Sequence, residues 1–159
     1  MIVEAVDPQT GKSVKMECAA STQDEIRDLL SFDLSEDALK KRINKLAISA
    51  DAKSILFTIS KQTIRVGAMV VKIGRKVLDV VITILTEYPM AITGVVFGAV
   101  FGEMVKSIPL LGLLFGPFVS SLAIAFGFAI GAISDFKNKA LERRIMSAVA
   151  NFDALKTKA

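Results

Sequence analysis

MAITGVVFGAVFGEMVKSIPLLGLLFGPFVSSLAIAFGFAIGAIS, residues 90–134, holds only two charged side chains, Glu103 and Lys106, in 45 positions. Residues 107–134 run for 28 positions with no charge at all. A bilayer hydrocarbon core of about 30 Å is crossed by about 20 helical residues. The segment therefore predicts a transmembrane helical hairpin, with spans over 90–108 and 115–133 and a turn over 109–114. Pro109, Gly112 and the Gly116–Pro117 pair supply the chain breakers for that turn. Glu103 and Lys106 then form an interfacial pair, one helical turn apart at the far end of the first span.

Small residues in this segment recur at helical spacing. Gly94, Gly98 and Gly102 share one face of the first span. Gly116, Ser120, Ala123, Gly127 and Gly131 follow at steps of four, three, four and four on the second. In lipid, where burying apolar surface gains little, such stripes let helix backbones approach closely, so these eight residues are expected to pack helices within or between chains.

Upstream, polar residues at Ser54, Thr58, Lys61, Arg65, Lys72, Lys76, Asp79, Thr83 and Glu87 recur every three or four positions, apart from one seven-residue step from Arg65 to Lys72. That period predicts one long amphipathic helix over residues 50–88. In a homo-oligomer its polar stripe, with Lys61, Arg65, Lys72, Lys76 and Asp79, would line a shared pore. Residues 135–159 read as a basic amphipathic C-terminal helix with Phe136, Leu141, Ile145, Val149 and Phe152 on one side.

Residues 1–49 form an acidic-to-basic head. Ile2, Val3 and Val14 flank the turn formers from Asp7 to Gly11, which predicts a β-hairpin. Thr22 followed by Glu25 signals a helix start through a capping box. Ser35 before Glu36 and Asp37 signals a second helix, running to about Ser49. The predicted fold class is accordingly an all-α membrane protein: a glycine-rich transmembrane hairpin (89–134) preceded by a long amphipathic helix, with a small β-hairpin and helical head on the cytosolic side. The alternative, an all-α globule with the hairpin as its core, requires the amphipathic segments to cover nearly all of the uncharged surface.

Composition excludes much chemistry. The chain has no His, which removes Ser–His and Cys–His nucleophilic pairs and most zinc and haem sites. Cys18 is the single cysteine and forms neither an intrachain disulfide nor a CxxC site. Gly11-Lys12-Ser13 resembles the end of a phosphate-binding loop, but Val6 stands where that loop needs its first glycine. The acids at Asp24, Glu25, Asp28, Asp33, Glu36 and Asp37 do not follow calcium-loop spacing. No catalytic, cofactor or metal site is predicted, and the chain reads as a non-enzyme.

Charge divides the chain, with three cations and nine acids in residues 1–37 and 17 cations and seven acids thereafter. A basic, apolar body suits anionic lipid headgroups. Nucleic acid is not an expected partner, because Trp is absent and Tyr88 is the single Tyr. The first residues have neither a basic n-region nor an apolar core, so no signal peptide is expected. Lys72, Arg75 and Lys76 before the hairpin and Lys137, Lys139, Arg143 and Arg144 after it place both termini in the cytosol, at an inner (cytoplasmic) membrane. The expected partners are the lipid bilayer, further copies of the chain, and a protein recruited by residues 1–49. The expected function is a small oligomeric pore or permeabilising protein; the alternative is a membrane-anchored adaptor whose head recruits a partner.

Overall fold

The structure, a computed structural model, describes residues 1–6, 10–19, 23–29, 35–88, 93–126 and 139–156. Its first pair of strands forms where turn formers separate β-branched residues. Strands β1 (Ile2–Val6) and β2 (Ser13–Glu17) pair antiparallel, with Val3 opposite Met16 and Ala5 opposite Val14. Gly11, in the connection, sits at φ 73°, a conformation that favours glycine. Alternation along β1 turns Val3 and Ala5 into the core and leaves Ile2 and Val6 exposed.

Helix α1 (Gln23–Leu29) follows, and then α2 (Glu36–Asn44), where the Ala38 N–H donates to Ser35 Oγ at 3.1 Å as the sequence predicts for a cap. Helix α2 stops five residues short of Ser49, and Ser49 itself caps the next helix by accepting from the Ala52 N–H at 3.1 Å.

The expected single helix over 50–88 is instead helix, hairpin and helix: α3 (Ala50–Ser60), strands β3 (Ile64–Val66) and β4 (Met69–Val71), and α4 (Ile73–Glu87). The seven-residue step in the polar stripe marks the place. Gly67 and Ala68 make a two-residue turn, with Val66 opposite Met69 and Gly67 at φ 61°. Glycine in the first central position, with no positive φ at Ala68, is the pattern of a type II′ turn. Ile64, Val66 and Val71 are buried while Arg65 and Val70 face out, a period of two that replaces the helical period there.

Strand β3 pairs with β1, giving an antiparallel sheet ordered β2-β1-β3-β4. The fold is therefore mixed α/β, which overturns the expected all-α membrane architecture. One apolar cluster runs from Val3 and Ile64 of the sheet through Leu39, Leu56 and Val81 to Phe97, Phe115, Leu141 and Phe152 of the later helices.

Close approach fixes how α3 meets α4. A methyl group on Gly74 would collide with the Ile59 carbonyl oxygen, and the Gly74 N–H donates to the Gln62 carbonyl at 3.0 Å. Salt bridges then tie α2 to α4. Arg42 donates through Nη1 to Asp79 Oδ1 at 2.6 Å and through Nη2 to Thr83 Oγ1 at 3.0 Å, while Arg75 lies 3.7 Å from Glu36.

The remaining helices are α5 (Thr93–Ser107), α6 (Pro109–Phe115), α7 (Val119–Phe126), joined to α6 by a 3-10 turn (Gly116–Phe118), and α8 (Lys139–Ala150). Helix α8 packs on α5 and buries Leu141, Ile145, Ala148 and Val149. A final 3-10 turn (Asp153–Leu155) packs against α1, and the Ala19 N–H donates to the Lys156 carbonyl at 2.7 Å.

Candidate membrane-docking hairpin

Helices α5 and α6–α7 form a helical hairpin, but its turn is not the one expected. Residues 109–114 are helical, and the reversal falls on Ile108, whose backbone is extended at φ −122° and ψ 105°. A residue before proline is biased out of the α region, and Pro109 itself opens α6, where a missing N–H costs nothing. The proline is thus a helix start rather than part of a loop.

Contacts at both ends hold the two arms together. Near the turn, a methyl group on Gly112 would stand 2.8 Å from the Val105 carbonyl oxygen. At the open end, one on Gly94 would stand 2.5 Å from the Phe126 carbonyl oxygen, and the Phe97 and Phe126 rings stack with centroids 4.3 Å apart. Between them Phe101 packs against Phe97 at 5.4 Å and Phe115 at 6.0 Å.

The small-residue stripes divide. Gly94, Gly98 and Ala123 are buried and Gly102 is half-buried, whereas Gly116 has open space at its Cβ position and Ser120 is exposed. Gly127 and Gly131 lie outside the described residues, as does the rest of the expected second span from residue 127 onward.

Among the described residues one helical stretch, Pro109–Phe126, is long and apolar enough to cross a membrane, by length and composition, and the buried core helix of a soluble protein passes the same test. Only a third of it is buried. Leu110, Leu111, Leu114, Phe115, Leu122 and Ala123 face the core. The opposite side carries Pro109, Leu113, Pro117, Ser120 and Ile124, at steps of four, four, three and four, exposed or half-buried, with Ile124 84 % exposed. Helices that face water on one side normally place charged residues there. This outward stripe has none over 18 residues.

The residues expected to line a pore do not form one stripe. Lys61 is the exposed C-cap of α3, Arg65 lies on β3, Lys72 precedes α4, and Lys76 and Asp79 are half-buried on α4 with Asp79 held by Arg42. Breaking the helix at residues 61–72 scatters them over three elements. Glu103 accepts a hydrogen bond from Ser107 Oγ at 2.9 Å, and among the described residues no ion pair joins it to Lys106. They lie toward the C-terminal end of α5, six and three residues before Pro109.

One ion pair was not legible beforehand. Arg144 on α8 grips Glu87 at the end of α4 in a fork, Nε to Oε2 at 2.8 Å and Nη2 to Oε1 at 3.2 Å. The hydrogen bonds from Arg144 hold the Glu87 carboxyl below its usual range and raise the Arg144 guanidinium in turn. Arg144, which in sequence belongs to the basic flanks, is therefore a structural clamp, as is Arg42. Cys18 is buried, and that burial pushes its thiol up, partly countered by the nearby N-terminal ammonium, so it is not an activated nucleophile. Among the described residues no group of His, Cys, Asp and Glu is placed to hold a metal ion.

Comparison of the chain with protein families, with curated proteins and with solved structures finds no match.

Proposed function

We propose that the protein is a membrane-docked adaptor, held to a bilayer by the outward side of the α6–α7 stretch and presenting its sheet to the aqueous phase. The uncharged stripe from Pro109 to Ile124 carries this reading. In water it leaves Leu113, Pro117, Phe118, Val119 and Ile124 exposed or half-buried with no charge to offset them. Against acyl chains or the headgroup boundary the same surface is favourably buried, at about 25 cal/mol per Å² of apolar area removed from water.

The adaptor role draws on the solvent face of the sheet. That face bears Ile2, Val6 and Val70, at 60 %, 49 % and 55 % exposure, around a cross-strand row of Lys15, Glu4 and Arg65. Strand β2 is an edge strand of that sheet. An apolar face framed by charges suits a protein partner. An anchor lying in the plane of the bilayer leaves both termini on one side, and the basic flanks favour the cytosolic leaflet.

Permeabilisation has less to rest on, because its expected lining is dispersed and α2 occupies the polar side of α4 through Arg42 and Asp79.

The test is flotation of the purified chain with lipid vesicles carrying an encapsulated dye. The wild type is expected to float with intact vesicles, and a Leu113→Asp/Ile124→Asp variant is expected to stay in the dense fraction. A chain that stays below with every vesicle composition contradicts the docking; one that floats and empties the vesicles restores the pore.

A further inference from the structure

The geometry points to an anionic phospholipid surface as the ligand of the α6–α7 stripe, with lysines at both ends of the stripe as its headgroup contacts. This inference rests on the membrane docking proposed above and specifies which bilayer is taken and in what orientation. At the start of the stripe stands Lys106, exposed in the last turn of α5, three residues before Pro109. At the other end Ser49 Oγ donates to the Ala125 carbonyl at 3.4 Å, which brings the junction of α2 and α3 against the residue next to Ile124. That junction is basic. Lys41 and Lys45 lie one turn apart on the outward side of α2, opposite the buried Leu39 and Ile43, and Lys53 Nζ donates to the Asn44 carbonyl at 3.0 Å.

Among the described residues, the acids at the two ends are Asp51, exposed in the first turn of α3, Asp37, exposed one turn before Lys41 on α2, and Glu103, which accepts from Ser107. Four described cations against three acids thus bracket an uncharged stripe. Lysine stems lie along apolar surface while the ammonium reaches outward to a headgroup phosphate. An 18-residue helical stretch is about 27 Å long. Cations at both ends favour laying it flat in the interface over threading it through the core, where carrying Lys106 or the α2–α3 junction across would be costly.

The experiment compares binding to vesicles of phosphatidylcholine alone and of phosphatidylcholine with phosphatidylglycerol. Each lysine at an anionic surface contributes about fivefold in affinity, so Lys45→Gln/Lys106→Gln is expected to weaken binding to the anionic vesicles about 25-fold. The control Lys61→Gln/Lys72→Gln removes the same net charge from the far end of α3 and the start of α4, and is expected to bind within twofold of wild type. Equal losses in both variants, or in neither, overturn the headgroup assignment.

Orientation is read from single tryptophans, since the chain has none of its own. Leu113→Trp and Ile124→Trp, about 16 Å apart along the helix axis, are expected to be quenched at the same shallow depth by brominated lipids. One deep and one shallow position overturns the flat orientation. Binding equally well to neutral and anionic vesicles defeats this inference and leaves the docking itself standing; no binding to either defeats the docking. A chain that is dimeric without lipid and becomes monomeric on Ile124→Asp assigns the stripe to a second copy and overturns both.

Discussion

Two helical pairs in this protein are built from similar apolar residues and differ in what faces outward. Helix α4 lies against α3 and α2 with Val77, Leu78, Val81, Ile84 and Leu85 buried, and its polar side is closed by Arg42–Asp79 and Arg75–Glu36. The hairpin of α5 with α6–α7 has an equally apolar inner side around Phe97, Phe101 and Phe115, yet no ion pair closes the outside of α6–α7 among the described residues. The first pair is complete in water. The second meets water with an uncharged stripe, and this difference, rather than total hydrophobicity, is what the proposed lipid docking rests on.

The sharpest way to break the comparison is to disturb the water-complete pair. Gly74→Ala places a methyl group against a backbone oxygen that cannot swing aside, and is expected to cost about 3 kcal/mol in chemical denaturation. A cost below about 1 kcal/mol would mean that α3 and α4 are not so closely packed.

Next comes the hairpin. Gly94→Ala meets the Phe126 carbonyl at a longer distance and is expected to cost about 2 kcal/mol, while Gly116→Ala, with nothing within 4 Å, is expected to be neutral or to stabilise by about 0.5 kcal/mol. Similar costs at the two glycines would restore a uniform small-residue stripe in place of the divided one described here.

The smallest effect belongs to the clamp between α4 and α8. Glu87 and Arg144 are 41 % and 32 % exposed, so Glu87→Gln is expected to cost only about 0.5 kcal/mol at neutral pH. The Glu87 carboxyl titrates lower folded than unfolded, so its contribution is present above the ordinary glutamate pKa and fades as pH falls through the lowered folded value. Wild type and Glu87→Gln should therefore converge in stability as the pH falls well below the ordinary glutamate range, and a difference that persists once the carboxyl is protonated would locate the clamp's contribution elsewhere.

Signals that depend on one residue's chemistry were legible in the sequence. Ser35 caps α2, the turn formers before Gly11 separate β1 from β2, and Leu141, Ile145 and Val149 mark the buried side of α8. Signals that depend on period failed where elements are short. Strands β3 and β4 have three residues each, too few for alternation to stand out, and Arg65 and Lys72 fall on a helical period by coincidence of spacing. Gly67 supplies the turn inside that stretch, and Gly74 is a packing contact between α3 and α4.

In the hairpin, the charge-free composition was legible but its sidedness was not. Which of Leu113 and Leu114 faces out depends on where the helix begins, and reading Pro109 as a turn residue rather than a helix start moved the reversal and lost the phase. The clamps of Arg42 and Arg144 join residues 37 and 57 positions apart, a pairing that no local pattern carries.

The most direct measurement places one fluorophore on the stripe. Phe118→Trp puts the chain's only tryptophan on the half-buried 3-10 turn between α6 and α7. Adding anionic vesicles is expected to shift its emission to the blue and to shield it from an aqueous quencher. Unchanged emission and undiminished quenching, at lipid in large excess over protein, would contradict the docking.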